Sequence, residues 1–106
     1  MKLSEQRCLP LQEPHAMTAY EVGKHLGMVQ GWTHTDGAIE KTYAFAGWAE
    51  TIAFVNAVAW VAQREAHLPE LAVGADRCAV RLRTAAVDGL THNDFICAAK
   101  FDALVT

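Results

Sequence analysis

The sequence predicts an α+β domain, with helices packed on one face of an antiparallel sheet. Three observations lead there. Threonine-led capping boxes mark helix starts at Thr18 and Thr91. A long apolar run at helical period crosses the middle of the chain. Two pairs of β-rich segments, each joined by a tight-turn signal, flank that run. The implied order is helix, strand, strand, helix, strand, strand, helix.

Residues 1–16 hold two prolines and no period, and read as an irregular arm before a single domain over 17–106. Thr18 with Glu21 three positions later opens the first helix, which should end near Met28, where Gly31 can take a positive φ. Asp36-Gly37 is a two-residue hairpin signal. Trp32, Thr33 and Thr35 precede it, and Ile39, Thr42, Tyr43 and Phe45 follow it, all residues that favour strands. The segment from Trp48 to His67 is the longest helical pattern. Trp48, Ile52, Val55, Ala59 and Ala62 form one apolar row; Phe54, Val58 and Val61 form another. So broad an apolar surface implies burial on two sides, one against the sheet and one against a partner subunit. Two short strands around Gly74-Ala75-Asp76 follow, the second with Val80 and Leu82 alternating with Arg81 and Arg83. After a turn at Asp88-Gly89, Thr91 and Asp94 cap the last helix.

The chain has 106 residues and a formal net charge of -3. Its slight acidity argues against nucleic acid and against an anionic membrane surface as partners. No uninterrupted apolar stretch approaches the ~18 residues of a membrane span, and the opening residues lack the apolar core of a signal peptide. The expected setting is soluble, reducing and cytoplasmic. Cys8, Cys78 and Cys97 are widely spaced, which gives neither a disulfide framework nor a metal knuckle. The histidines, His15, His25, His34, His67 and His92, form no zinc spacing, so neither metal nor cofactor is expected. There is no nucleophile elbow and no phosphate-binding glycine loop.

More information lies in the stretch Gln63-Arg64-Glu65-Ala66-His67-Leu68-Pro69-Glu70-Leu71. Read alone, His67 is a helix-end histidine before a proline that stops the helix. Together with Glu40-Lys41-x-Tyr43-x-Phe45, Phe54-x-Asn56-x-Val58 and Gly89-Leu90-Thr91-x-x-Asp94-Phe95, the stretch resembles the pterin-4a-carbinolamine dehydratase family over residues 18–105. The resemblance implies a four-stranded antiparallel sheet with three helices on one face, and dimers or tetramers. It implies loss of water from a 4a-hydroxy-tetrahydropterin by general acid–base chemistry, which suits imidazole. The family's motif is a His-His-Pro triplet, a third histidine in the following strand pair, and an acid four residues before the triplet. Carried onto this chain, those positions are His67, Leu68 and Pro69; Ala85, after Thr84; and Gln63. Glu65 lies close to the acid's place but points elsewhere on a helix. The family's pocket tryptophan matches Trp32.

Leucine and alanine transfer no protons, so His67 is the only one of the three histidines retained. The resemblance therefore extends to a branch with the same erosion, the RuBisCO assembly factors of α-carboxysome gene clusters. Three functions stand open on these residues. The first is a non-catalytic assembly factor or chaperone with the RuBisCO large subunit as partner, cytoplasmic and carboxysome-associated. The second is an active 4a-hydroxytetrahydrobiopterin dehydratase. The third is a module that binds a pterin or other small molecule in the old pocket.

Overall fold

The computed structural model describes residues 2–10 and 15–105. Three helices, α1 (Ala19–Leu26), α2 (Trp48–Glu65) and α3 (His92–Ala103), accompany four strands, β1 (Thr33–Thr35), β2 (Ala38–Ala44), β3 (Glu70–Val73) and β4 (Arg77–Leu82). The strands form one antiparallel sheet in the order β1-β2-β4-β3. Both hairpins have their expected turns. Asp36 (φ 50) and Gly37 (φ 74) take the left-handed backbone of a two-residue turn and set Thr35 opposite Ala38.

Both capping boxes form. Thr18 accepts from the Glu21 amide while Glu21 accepts from the Thr18 amide, and Thr91 and Asp94 make the same reciprocal pair. Alternate residues of the two central strands, Ile39 and Tyr43 on β2 with Cys78, Val80 and Leu82 on β4, enter the core. The helices cover them with Phe54, Val58 and Ala62 of α2 and Phe95 and Phe101 of α3.

The apolar surface of α2 is thus divided, though not along its two rows, since Ala62 of the first row is also in the core and Trp60 belongs to neither. Phe54 and Val58 face the chain's own core, whereas Trp48 and Trp60 are 59% and 75% exposed. Val61 lies between the two, half-buried.

The first described residues make a 3-10 turn, Leu3–Glu5, then run along α3. The Ser4 carbonyl accepts from Lys100 Nζ at 3.0 Å, and Leu9 exchanges two hydrogen bonds with the Asn93 side chain. The arm is therefore docked over residues 2–10. Residues 11–14 lie outside the described residues.

At the far end of α3, Asp102 gathers three donors from β2 and the segment before β1. Tyr43 Oη donates at 2.5 Å, Lys41 Nζ at 2.8 Å and Trp32 Nε1 at 3.1 Å. Burial, reinforced by the hydrogen bond and charge of Asp102, pushes the Tyr43 phenol up. Asp102→Ala is expected to cost about 2 kcal/mol, discounted because water can reach the cluster, and Tyr43→Phe about 1 kcal/mol. Chemical denaturation checks the order; equal losses would mean that Lys41 and Trp32 gain nothing from the carboxylate.

Candidate functional site

Helix α2 ends where the arm, α3 and the β3 lead-in converge. It ends because Ala66 turns into left-handed backbone (φ 55, ψ 39). The amides of Ala66 and His67 then fold back onto the carbonyls of Gln63 and Ala62. The helix is thus stopped three residues ahead of Pro69, by Ala66 and not by the proline.

Beyond this reversal, His67 Nε2 meets Asp94 Oδ1 at 2.5 Å. The imidazole side chain is 13% exposed and the carboxylate 0%. Asp94 divides its work between its oxygens. Oδ1 holds His67, while Oδ2 accepts from the Thr91 amide at 3.0 Å and from the Thr84 hydroxyl at 2.8 Å. The residue that caps α3 therefore also orients the histidine. The Asp94 hydrogen bond raises the His67 pKa, against burial and with help from the Asp94 charge.

That direction fixes a pH dependence. A raised folded-state pKa stabilises the fold fully below histidine's ordinary ~6.5, and the contribution fades as pH rises through the elevated value. The stability gap between wild type and His67→Gln should be wider at pH 6 than at pH 9 in urea unfolding. A gap that widens with pH would show that the pair is held by the neutral ring.

A cleft of about 300 Å³ opens beside this pair, lined by Cys8, Leu9, Pro10, Glu65, Ala66, His67, Thr84 and Asn93. The arm supplies one wall. Glu65 turns inward and is 6% exposed. It accepts from the Cys8 amide at 2.7 Å and pairs with Arg7 Nε at 2.8 Å and Lys100 Nζ at 3.9 Å. Burial pushes its carboxyl up, but the Cys8 amide, Lys100 and Arg7 together outweigh that and hold it below the usual carboxylate range.

The residues singled out from sequence divide between this cleft and other places. His67 and Thr84 line the cleft together. Leu68 is 75% exposed, and Pro69 leads into β3. Ala85 begins an exposed 3-10 turn, Ala85–Val87. Gln63 is on the outer side of α2, in a separate hollow with Trp60, Val61 and Arg64. Trp32 is buried against Tyr43 and Asp102, away from the cleft-lining residues. Glu65, Asp94 and the arm's Cys8 are the groups that sequence reasoning did not bring to His67. Glu65 had one signal: half a helical turn from Gln63, it had to face inward.

Among the described residues His67 Nδ1 has no hydrogen-bond partner, so it is the ring nitrogen left for a ligand. One imidazole can deliver or remove a proton at a single point on a bound molecule. It cannot act as acid and base at two separated atoms at once.

The sequence matches the family described as "Pterin 4 alpha carbinolamine dehydratase" over residues 15–104. A protein of Nitrosomonas europaea is 42% identical over 104 residues, covering 96% of this chain and 92% of that protein. One of Paracidovorax citrulli is 50% identical over 94 residues, covering 85% and 81%. Both bear the name "Putative pterin-4-alpha-carbinolamine dehydratase". Among solved structures, a transcriptional coactivator/pterin dehydratase from Brucella melitensis superimposes with TM-score 0.83 at 26% identity, over 87% of this chain and 100% of that one. A pterin dehydratase-like protein identified as a RuBisCO assembly factor in the alpha-carboxysome superimposes with TM-score 0.59 at 26% identity, over 69% and 84%. The match across nearly the whole length, together with the four-stranded sheet and its three helices, makes this chain a member of the pterin-4a-carbinolamine dehydratase family.

Proposed function

We propose that this protein uses the dehydratase fold for binding and not for dehydration. Its partner is the RuBisCO large subunit, for which it acts as an assembly factor in the cytoplasm or at the carboxysome. The observation that carries the loss of chemistry is the side-chain content of two positions: Leu68, facing solvent, and Ala85, on an exposed turn. Neither can move a proton, and His67 is left to act alone. The choice of partner is supported by the similarity to the alpha-carboxysome assembly factor. Self-association into dimers or tetramers belongs to the same reading. It is supported by the exposed Trp48 and Trp60 along α2.

A second reading, an active 4a-hydroxytetrahydrobiopterin dehydratase, is favoured by the intact His67–Asp94 pair and by the names of the relatives. The deciding measurement is kcat/KM with a 4a-hydroxy-tetrahydropterin. The binding reading expects turnover close to the uncatalysed rate and no further loss in His67→Ala. Histidine restored at both eroded positions, as Leu68→His with Ala85→His, should then raise the rate, since a placed acid–base group contributes ~10²–10⁴-fold. A wild-type value of ~10⁴ M⁻¹s⁻¹ or more overturns the binding reading and makes His67 catalytic. Co-sedimentation with purified RuBisCO large subunit tests the partner separately.

A further inference from the structure

The cleft wall contributed by the arm carries a thiol that neither reading uses. Cys8 Sγ lies 3.6 Å from Cys97 Sγ, across 89 positions of sequence. Cys97 sits inside α3 between Ile96 and Ala98 and is fully buried. Cys8 lies outside regular structure, is half-buried, and makes one further weak contact, from Sγ to the Asn93 carbonyl at 3.6 Å. The third thiol, Cys78, is buried in β4.

We propose that Cys8 and Cys97 are a redox pair whose disulfide latches the arm onto α3 beside the His67 cleft. A disulfide bond is about 2.05 Å long, so the sulfurs must close by roughly 1.5 Å. Cys8 is the partner able to move. Its backbone is tied by the Glu65 carboxylate at its own amide and by Asn93 at Leu9, bonds that hold the thiol in register without enclosing it in a helix.

The two thiols are unequal in the way a stepwise oxidation needs. The hydrogen bond from Cys97 lowers the Cys8 pKa, overcoming burial, and the His67 charge lowers it further against Glu65. Accepting no such help, Cys97 is pushed up by its bond to Cys8 and by burial. The Cys8 thiolate attacks hydrogen peroxide, takes one oxygen and, with a proton, releases water to leave a sulfenic acid. The Cys97 sulfur then attacks the Cys8 sulfur. The S–S bond forms, the S–O bond breaks, and the hydroxyl leaves as a second water with the Cys97 proton. Overall two thiols and one peroxide give one disulfide and two waters. A small thiol reverses the reaction by exchange.

Oxidation fixes one wall of the cleft, since that wall is made of Cys8 and the two residues bonded after it, Leu9 and Pro10. This holds whether the cleft binds a pterin, reacts with one, or has passed to another use. The chain has three cysteines. Treatment of the whole protein with equimolar hydrogen peroxide, then unfolding and maleimide labelling, should leave one labelled cysteine, Cys78, and a mass lower by two hydrogens. Non-reducing peptide mapping should join the peptides that contain Cys8 and Cys97. The unfolding midpoint should rise by on the order of 10 °C, because the bond closes a long loop, and dithiothreitol should return it. Cys8→Ser, a change at a half-exposed arm position, should abolish the disulfide and the midpoint rise while leaving the reduced protein folded. Three labelled cysteines after peroxide, a cross-link between two chains, or an unchanged midpoint rise in Cys8→Ser would overturn the proposal.

Discussion

Asp94→Ala is expected to destabilise the domain by about 3–5 kcal/mol, the range for removing one partner of a buried pair. The carboxylate is fully buried and serves three donors at once: the His67 ring, the Thr84 hydroxyl and the Thr91 amide. The capping bond alone is worth about 1 kcal/mol. The rest comes from a histidine left without its acceptor in a site that admits little water, and from the Thr84 hydroxyl, which keeps only Thr91 Oγ1 at 2.9 Å. In thermal terms the loss is roughly 15 °C for a domain of this size. Asp94→Asn separates the contributions. It keeps the shape and one acceptor but removes the charge, so it should lose less stability and return His67 to an ordinary pKa. Urea unfolding with histidine titration by NMR measures both. A loss in Asp94→Ala below 1 kcal/mol would mean that His67 and α3 are placed by packing and not by this carboxylate.

Val58→Asp is expected to unfold the chain outright. Val58 is 0% exposed, in the row that α2 turns to its own core. An unpaired carboxylate there costs several kcal/mol, against a total stability of ~5–15 kcal/mol for a typical domain. The matching change on the outer face is Trp60→Glu, where the side chain is already 75% exposed. That variant should keep the circular dichroism of the wild type and sediment as a smaller species. A folded Val58→Asp would contradict the assignment of the inner row. A wild type that is monomeric at micromolar concentration would remove the outer face as a subunit contact.

Local chemistry made much of this fold legible in advance. Thr18 with Glu21 and Thr91 with Asp94 announce helices because a capping box is satisfied within four residues. Asp36-Gly37 announces a hairpin because few other pairs accept two left-handed conformations in succession. The stop at Ala66 was hidden, since alanine gives no sign of a left-handed cap, and the visible proline drew attention three residues too late. The candidate site was legible only at His67 and Thr84. In the sequence Asp94 reads as a capping residue, and nothing local shows that its second oxygen reaches a histidine 27 positions away. Trp32, matched to a pocket by resemblance, donates to Asp102 and is not among the residues that line the cleft beside His67. Glu65 points away from the acid's place, as its helix position predicts, and the direction it takes is into the cleft.

The docked arm has a consequence for the order in which the molecule is completed. Its contacts reach 57 positions along the chain to Glu65, 84 to Asn93 and 96 to Lys100. Closing loops of that length costs more loop-closure entropy than closing either tight hairpin turn of the sheet. During synthesis the arm leaves the ribosome well before α3, so its contacts with Asn93 and Lys100 cannot form until that helix has been made. The wall that the arm gives the cleft beside His67 is therefore added only once α3 is in place.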